Sequence, residues 1–171
     1  MSFSIDGLRQ YGFVGFVPFR TWDRSMVGTQ DAEGVYAIVR SGKLPTFLDE
    51  DGSKPRSRSW SRAEVAARWV SGAEIVYIGQ APLRTNQRDG VAKRLDEFHS
   101  HGYRTGKSHY GGRLLWQLSD SDDLVVAWKM VPVGMAGLIE SGLILGFVEE
   151  YGRRPFANVG APLRAAKAIA I

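Results

Sequence analysis

The chain has 171 residues, a formal net charge of +4 and no cysteine. That length fits one domain burying roughly two-thirds of its unfolded surface, and the missing thiols exclude disulfide frameworks, thiolate zinc sites and cysteine nucleophiles. No apolar run reaches the roughly 18 residues of a bilayer span, and "MSFSIDGLRQ" lacks the basic-then-apolar order of a secretory signal, so a cytoplasmic protein without membrane contact is expected.

The first strong strand signal is "GVYAIVR" at residues 34–40, β-branched and aromatic. A long polar segment follows, "SGKLPTFLDEDGSKPRSRSW", whose Gly, Pro, Ser and charge predict an exposed loop. It gives way to "SRAEVAARWV", where Ser61 and Glu64 form a capping-box pattern that opens a short helix. A second strand is expected in "AEIVYIG" at 73–79, stopping at Gly79. From Val91 the apolar residues Val91, Leu95 and Phe98 fall at i, i+4 and i+7, a helical stripe bordered by Arg94. "DLVVAWKMVPV" at 123–133 predicts another strand ended by Pro132, and a long helix is expected from about Ala136 to Tyr151. Leu143, Ile144, Phe147 and Tyr151 form one stripe of that helix, and Glu140 shares it. A carboxylate on an apolar face is costly unless it is paired or binds a metal. Gly142 and Gly146 would let another backbone approach closely.

Charge is unevenly distributed. Between residues 84 and 113 stand Arg84, Arg88, Lys93, Arg94, Arg104, Lys107 and Arg113 against only Asp89, Asp96 and Glu97, with His99, His101, His109, Tyr103 and Tyr110 interleaved. This composition suits a surface that faces phosphates. "KPRSRSW" at 54–60 adds basic side chains and a tryptophan able to stack on bases.

"GVY" ending at Tyr36 and "YIG" beginning at Tyr77 resemble the two motifs that name the GIY-YIG nucleases, a family of homing endonucleases, restriction enzymes and repair incision domains. "KRLDEF", "ESGLILGF" and "YGRRPFANV" extend the resemblance over about residues 34–160 by supplying, in order, an arginine on a helix, a glutamate before a Leu-Ile pair and an asparagine after a proline. These are Arg94, Glu140 and Asn158. Val35 stands where the motif has isoleucine, and the long segment between the motifs is similar to the enlarged restriction-enzyme members. Arg88 is a rival to Arg94, which helical spacing favours.

The resemblance implies an α/β (α+β) domain, 1–171, built on a small, mostly antiparallel three-stranded sheet flanked by helices, decorated by the N-terminal thirty residues and by an insertion over about 41–72. It also implies cleavage of DNA phosphodiesters with a single divalent ion, Mg²⁺ or Mn²⁺, bound by Glu140 and completed by water and substrate oxygens. Arg94 would neutralise the scissile phosphate with a fork geometry that lysine lacks. Tyr36, Tyr77 and His109 are the alternatives for the general base, and Asn158 would tie the C-terminal segment to the site. An inactive nucleic-acid-binding module on the same fold is the competing expectation; oligomeric state is open between monomer and homodimer.

Overall fold

The computed structural model describes residues 2–28, 32–42, 44–48, 60–83, 90–103 and 110–160. It is an α+β domain with a four-stranded antiparallel sheet in the order β1-β4-β2-β3. The strands are β1 (Val14–Pro18), β2 (Gly34–Val39), β3 (Ile75–Ala81) and β4 (Val125–Met130), and the α-helices among the described residues are α1 (Ile5–Gln10), α2 (Arg62–Ala67), α3 (Val91–Tyr103) and α4 (Ala136–Tyr151). Among the described residues no helix is long and apolar enough to cross a membrane.

Three strands were expected, and the fourth comes from the N-terminal segment. β1 pairs with β4 through Val14–Trp128 and Pro18–Val125, with a bulge between Gly15 and Val17. The segment is structural throughout: Phe3, Leu8, Phe13, Phe19 and Trp22 are all buried. The first thirty residues therefore help build the core they were expected only to decorate.

The central strand β2 is buried along its whole length, so the sheet has a core on each side. Tyr36, Ile38, Tyr77, Val126 and Trp128 face α3 and the 3-10 turns and join Phe19, Leu95, Phe98, Leu114 and Leu115. Val35, Ala37, Val39, Ile75, Ile78 and Ala127 face α1 and α4 and join Leu8, Leu143, Ile144 and Phe147. The helical stripes match this division, for Val91, Leu95 and Phe98 have no exposed surface. Gly146 of α4 seats the Phe3 ring, the nearest atom 2.9 Å from where a Cβ would stand, while nothing approaches Gly142 within 4 Å. The expected close approach by another backbone is thus a side-chain contact, at one of the two glycines. β3 does not stop at Gly79 but continues to Ala81.

The described ends of the 41–72 insertion fold back onto the domain. α2 opens with the expected capping box, Ser61 and Glu64 each bonding the other's backbone N–H. Phe47 bridges to Leu118, and the buried Gln117 donates to the carbonyls of Leu48 and Trp60 at 3.3 and 2.7 Å. Trp60, expected to meet bases, is half-buried against the core with the Arg68 guanidinium 4.5 Å above its ring. Its indole is already committed to the protein. Residues 49–59 lie outside the described residues.

Candidate active site at the edge of β3

Register brings the two tyrosines together. Tyr36 pairs with Gly79 and Ile38 with Tyr77 across the antiparallel β2–β3 ladder, so Tyr36 and Tyr77 are diagonal neighbours on one face. Their ring centroids are 5.9 Å apart, and Phe98 of α3 lies 6.1 and 5.5 Å from the two rings. The glycine of "YIG" has a steric reason: a Cβ on Gly79 would stand 2.5 Å from Tyr36 Cζ and 2.6 Å from its hydroxyl. Only glycine leaves room for the Tyr36 ring to cross β3.

The two phenols and the Arg94 guanidinium of α3 lie close enough to influence one another's ionisation. Burial pushes the Tyr36 phenol well above its ordinary value, with the neighbouring Tyr77 adding to the shift and Arg94 opposing it. Tyr77 is raised mainly by burial as well, with Glu140 adding to it. Both therefore remain protonated near neutrality, as hydrogen-bonding groups rather than ready bases. Arg94 is half-buried and also meets Glu97 at 3.3 Å in an i,i+3 pair.

Glu140 comes from the other side of the sheet. It rides on α4, one turn past the helix start, and its Oε2 accepts from Gln80 Nε2 at 2.8 Å. Burial raises its carboxyl above the usual range, while the Gln80 side chain and backbone and the cations Arg94 and Arg154 oppose that rise. Arg94 from one face and Glu140 from the other reach a common neighbourhood because, among the described residues, no strand lies beyond β3. Beside them a depression of about 220 Å³ is lined by Gln80, Ala81, Pro82, Gly90, Lys93, Arg94 and Glu97.

Asn158 occupies the free edge of β3. Its Oδ1 accepts from Ile78 N at 2.9 Å and its Nδ2 donates to Ile78 O at 2.7 Å, while Ala157 N donates to Val76 O at 2.9 Å. The C-terminal segment is thereby tied to the strand that carries Tyr77. Asn158 itself bonds only the Ile78 backbone, while Tyr36, Tyr77, Arg94 and Glu140 form one cluster. Lys93 joins it at the depression, whereas Arg113 is half-buried on the 3-10 segment Tyr110–Gln117, outside that lining. Arg84, Arg88, Arg104, Lys107 and His109 lie outside the described residues.

Two polar residues with long-range partners were not anticipated. Gln80, directly after "YIG", holds Glu140. Glu33, directly before "GVY", is buried and receives the backbone N–H groups of Ala136 at 2.7 Å, Gly134 at 3.0 Å and Leu83 at 3.5 Å. Burial alone would raise its carboxyl, but these donors, with Met135, outweigh it and hold the group below the usual carboxylate range. Its backbone carbonyl accepts from Val131 N, and that of Ala32 accepts from Val91 N, both at 2.9 Å. The chain entering β2 therefore fixes the starts of α3 and α4 together. A local "E-G" dipeptide carries no signal for such long-range bonds.

Among the described residues no group of three or more His, Asp or Glu side chains comes together. A cation here would have Glu140 as its protein ligand and water or substrate oxygens otherwise, which fits a hard divalent ion that keeps much of its hydration. Comparison of the chain with protein-family models, with curated proteins and with solved structures finds no match.

Proposed function

We propose that the protein is a metal-dependent endonuclease of the GIY-YIG type, hydrolysing DNA phosphodiester bonds at the β3 edge. The observation that carries this reading is the convergence of Tyr36, Tyr77, Arg94 and Glu140, drawn from two strands and two helices, beside a depression lined by Arg94 and Lys93. Buried phenols, a guanidinium and a carboxylate gathered without a hydrophobic reason are expensive to desolvate. A substrate phosphate gives that expense a purpose.

In the proposed reaction water attacks phosphorus and the bond to one bridging oxygen breaks, leaving a phosphate monoester and a hydroxyl. Arg94 faces the phosphate and offsets charge that grows on its oxygens. Lys93 binds a neighbouring phosphate as a point charge. Tyr36 and Tyr77, held neutral, position Arg94, and Tyr77, the less buried of the two, orients water through its hydroxyl. Glu140 would hold Mg²⁺ or Mn²⁺, which supplies Lewis acidity toward the phosphate and acidifies bound water. Asn158 keeps β3 and the C-terminal segment in register.

A specific observation favours a second reading. Tyr36 has no exposed surface, which also suits a module that holds nucleic acid without cleaving it. Glu140→Gln separates the two, because it removes the charge and keeps an acceptor for Gln80. The nuclease reading expects an unchanged thermal midpoint, metal-free DNA affinity equal or slightly higher, and Mg²⁺-dependent nicking down roughly a thousandfold, the equivalent of several kcal/mol of lost charge stabilisation. Near-wild-type nicking by the variant overturns Glu140 as the ligand. A wild-type protein that binds DNA but shows no Mg²⁺-dependent nicking overturns the nuclease reading in favour of the binding module.

A further inference from the structure

Glu140 and Gln80 meet across two elements that are both anchored. Glu33 receives N–H groups from the start of α4 and from Leu83, just past the end of β3. The helix that carries Glu140 and the strand that carries Gln80 are therefore referred to one buried carboxylate. Between them the Gln80 amide is bonded to Glu140 and runs close to the backbone of α4. Its Nε2 donates to Glu140 at 2.8 Å, and its Oε1 lies against Gly137, 3.2 Å from where a Cβ would stand. A side chain at 137 would crowd the amide out of this position.

The type of donor matters as much as its place. A primary amide is neutral, so it occupies one carboxylate oxygen and leaves the full negative charge available. We infer that Gln80 is a positioning residue, orienting the Glu140 carboxylate so that one oxygen is occupied and the other is presented to a divalent cation. This rests on the nuclease reading and adds to it a residue outside the motifs that suggested it. Partners of metal-bound carboxylates commonly set affinity in this way, and losing one costs about 10–100-fold.

The test uses the whole chain and the cations themselves. Gln80→Met keeps the length without the donor, Gln80→Asn is too short to reach, and Gln80→His offers a ring N–H near the same place when assayed at pH 8, above the imidazole's ordinary value of about 6.5. Two readouts are taken: the Mg²⁺ concentration giving half-maximal nicking, and Mn²⁺-induced broadening of amide resonances around Gln80 and Glu140 without DNA. Met and Asn should each raise the half-saturating metal concentration about 10–100-fold in both assays, His should recover most of the loss, and thermal midpoints should move by less than about 2 °C. Wild-type metal titrations in the Met and Asn variants overturn the inference while leaving the nuclease reading intact. Losses that track a fallen midpoint and vanish on cooling overturn it too, since Gln80 would then only support the fold. If the wild-type protein neither nicks DNA nor shows broadening, the nuclease reading itself fails and the inference with it.

Discussion

Each edge strand of the sheet carries a glycine crossed by an aromatic ring from the adjoining strand. At β1 the Trp128 ring of β4 lies over Gly15, and at β3 the Tyr36 ring of β2 lies over Gly79. Beyond that the edges diverge. β1 is bulged between Gly15 and Val17, with Gly15 and Phe16 in the left-handed region at φ 92° and 52°, and it ends in Pro18. These features spoil it as a template for further pairing. The β3 ladder with β2 also shifts register, between Ile38 and Val39, leaving Val76 as the extra residue, but β3 holds no left-handed residue, and its carbonyl at Val76 and both backbone groups of Ile78 are taken by Ala157 and Asn158. Both edges are therefore bulged, and what distinguishes β3 is the cover that polar groups of the C-terminal segment give it beside Arg94 and Glu140.

The largest expected effects sharpen that contrast. Gly15→Ala and Gly79→Ala should each destabilise the protein by about 3 kcal/mol, the upper range for forcing an atom into a packed core. The double variants should separate them. Shortening Tyr36 to Leu removes the obstacle at Gly79, so Gly79→Ala should cost at least 1 kcal/mol less, roughly, in the Tyr36→Leu background. Shortening Trp128 should relieve Gly15→Ala much less, because a positive φ strains any L side chain whatever the space. Equal relief at both edges, measured by denaturant unfolding, would mean that β1 backbone strain is unimportant.

Next in size is Glu33→Gln. It places amide hydrogens among converging N–H donors, and a loss of about 2–4 kcal/mol is expected for breaking charge-assisted bonds in a buried setting. The backbone donors hold the folded carboxyl below the ordinary carboxylate value, so the unfolded chain takes up its proton first as pH falls. Its stabilisation is full above about pH 4.5 and disappears as pH falls through the folded value. Urea midpoints of wild type and variant should therefore converge below pH 4.5 and stay apart at pH 7. A gap independent of pH would assign the loss to packing.

The parts of the molecule that were readable beforehand are those whose cause is local. The span of α4, the Val91–Leu95–Phe98 face and the Ser61–Glu64 box each follow from residues within a few turns of one another. The diagonal placement of Tyr36 and Tyr77 was not readable, because alternation fixes which residues of one strand share a face but not the register between two strands. β1 was hidden because "VGFVP" carries a glycine and a proline that read as breakers, and its partner Trp128 lies far along the chain. Glu33, Gln80 and Gln117 were hidden for the same reason, because a polar side chain shows its partner only after folding. The half-burial of Trp60, read beforehand only as able to stack on bases, was hidden too, because its backbone partner Gln117 lies far along the chain.

A smaller effect is expected from Asn158→Leu, which removes both bonds to Ile78. At about 0.5–1.5 kcal/mol for each bond, with a desolvation penalty for the bared groups, a loss of roughly 2–3 kcal/mol follows. The same change leaves an N–H and a carbonyl unpaired on the outer edge of β3, so self-association at high concentration should rise as well. Sedimentation velocity across a concentration series reads this directly. A variant that loses stability but stays wild-type in association would show that Ala157 alone is enough to shield β3.

The smallest effect should come from Pro18→Thr at the other edge. Pro18 is exposed at the end of β1, opposite Val125, and its backbone at φ −56° and ψ 125° is open to ordinary residues. Threonine adds a backbone donor and some freedom to the unfolded chain, a cost of about 0.4–1 kcal/mol by the entropic argument. It leaves the bulge between Gly15 and Val17 untouched, so the edge remains twisted away from a flat partner. Association should therefore match wild type, in contrast to Asn158→Leu. If Pro18→Thr oligomerises and Asn158→Leu does not, the proline guards β1 rather than the bulge, and the difference between the two edges is the reverse of the one drawn from their backbones.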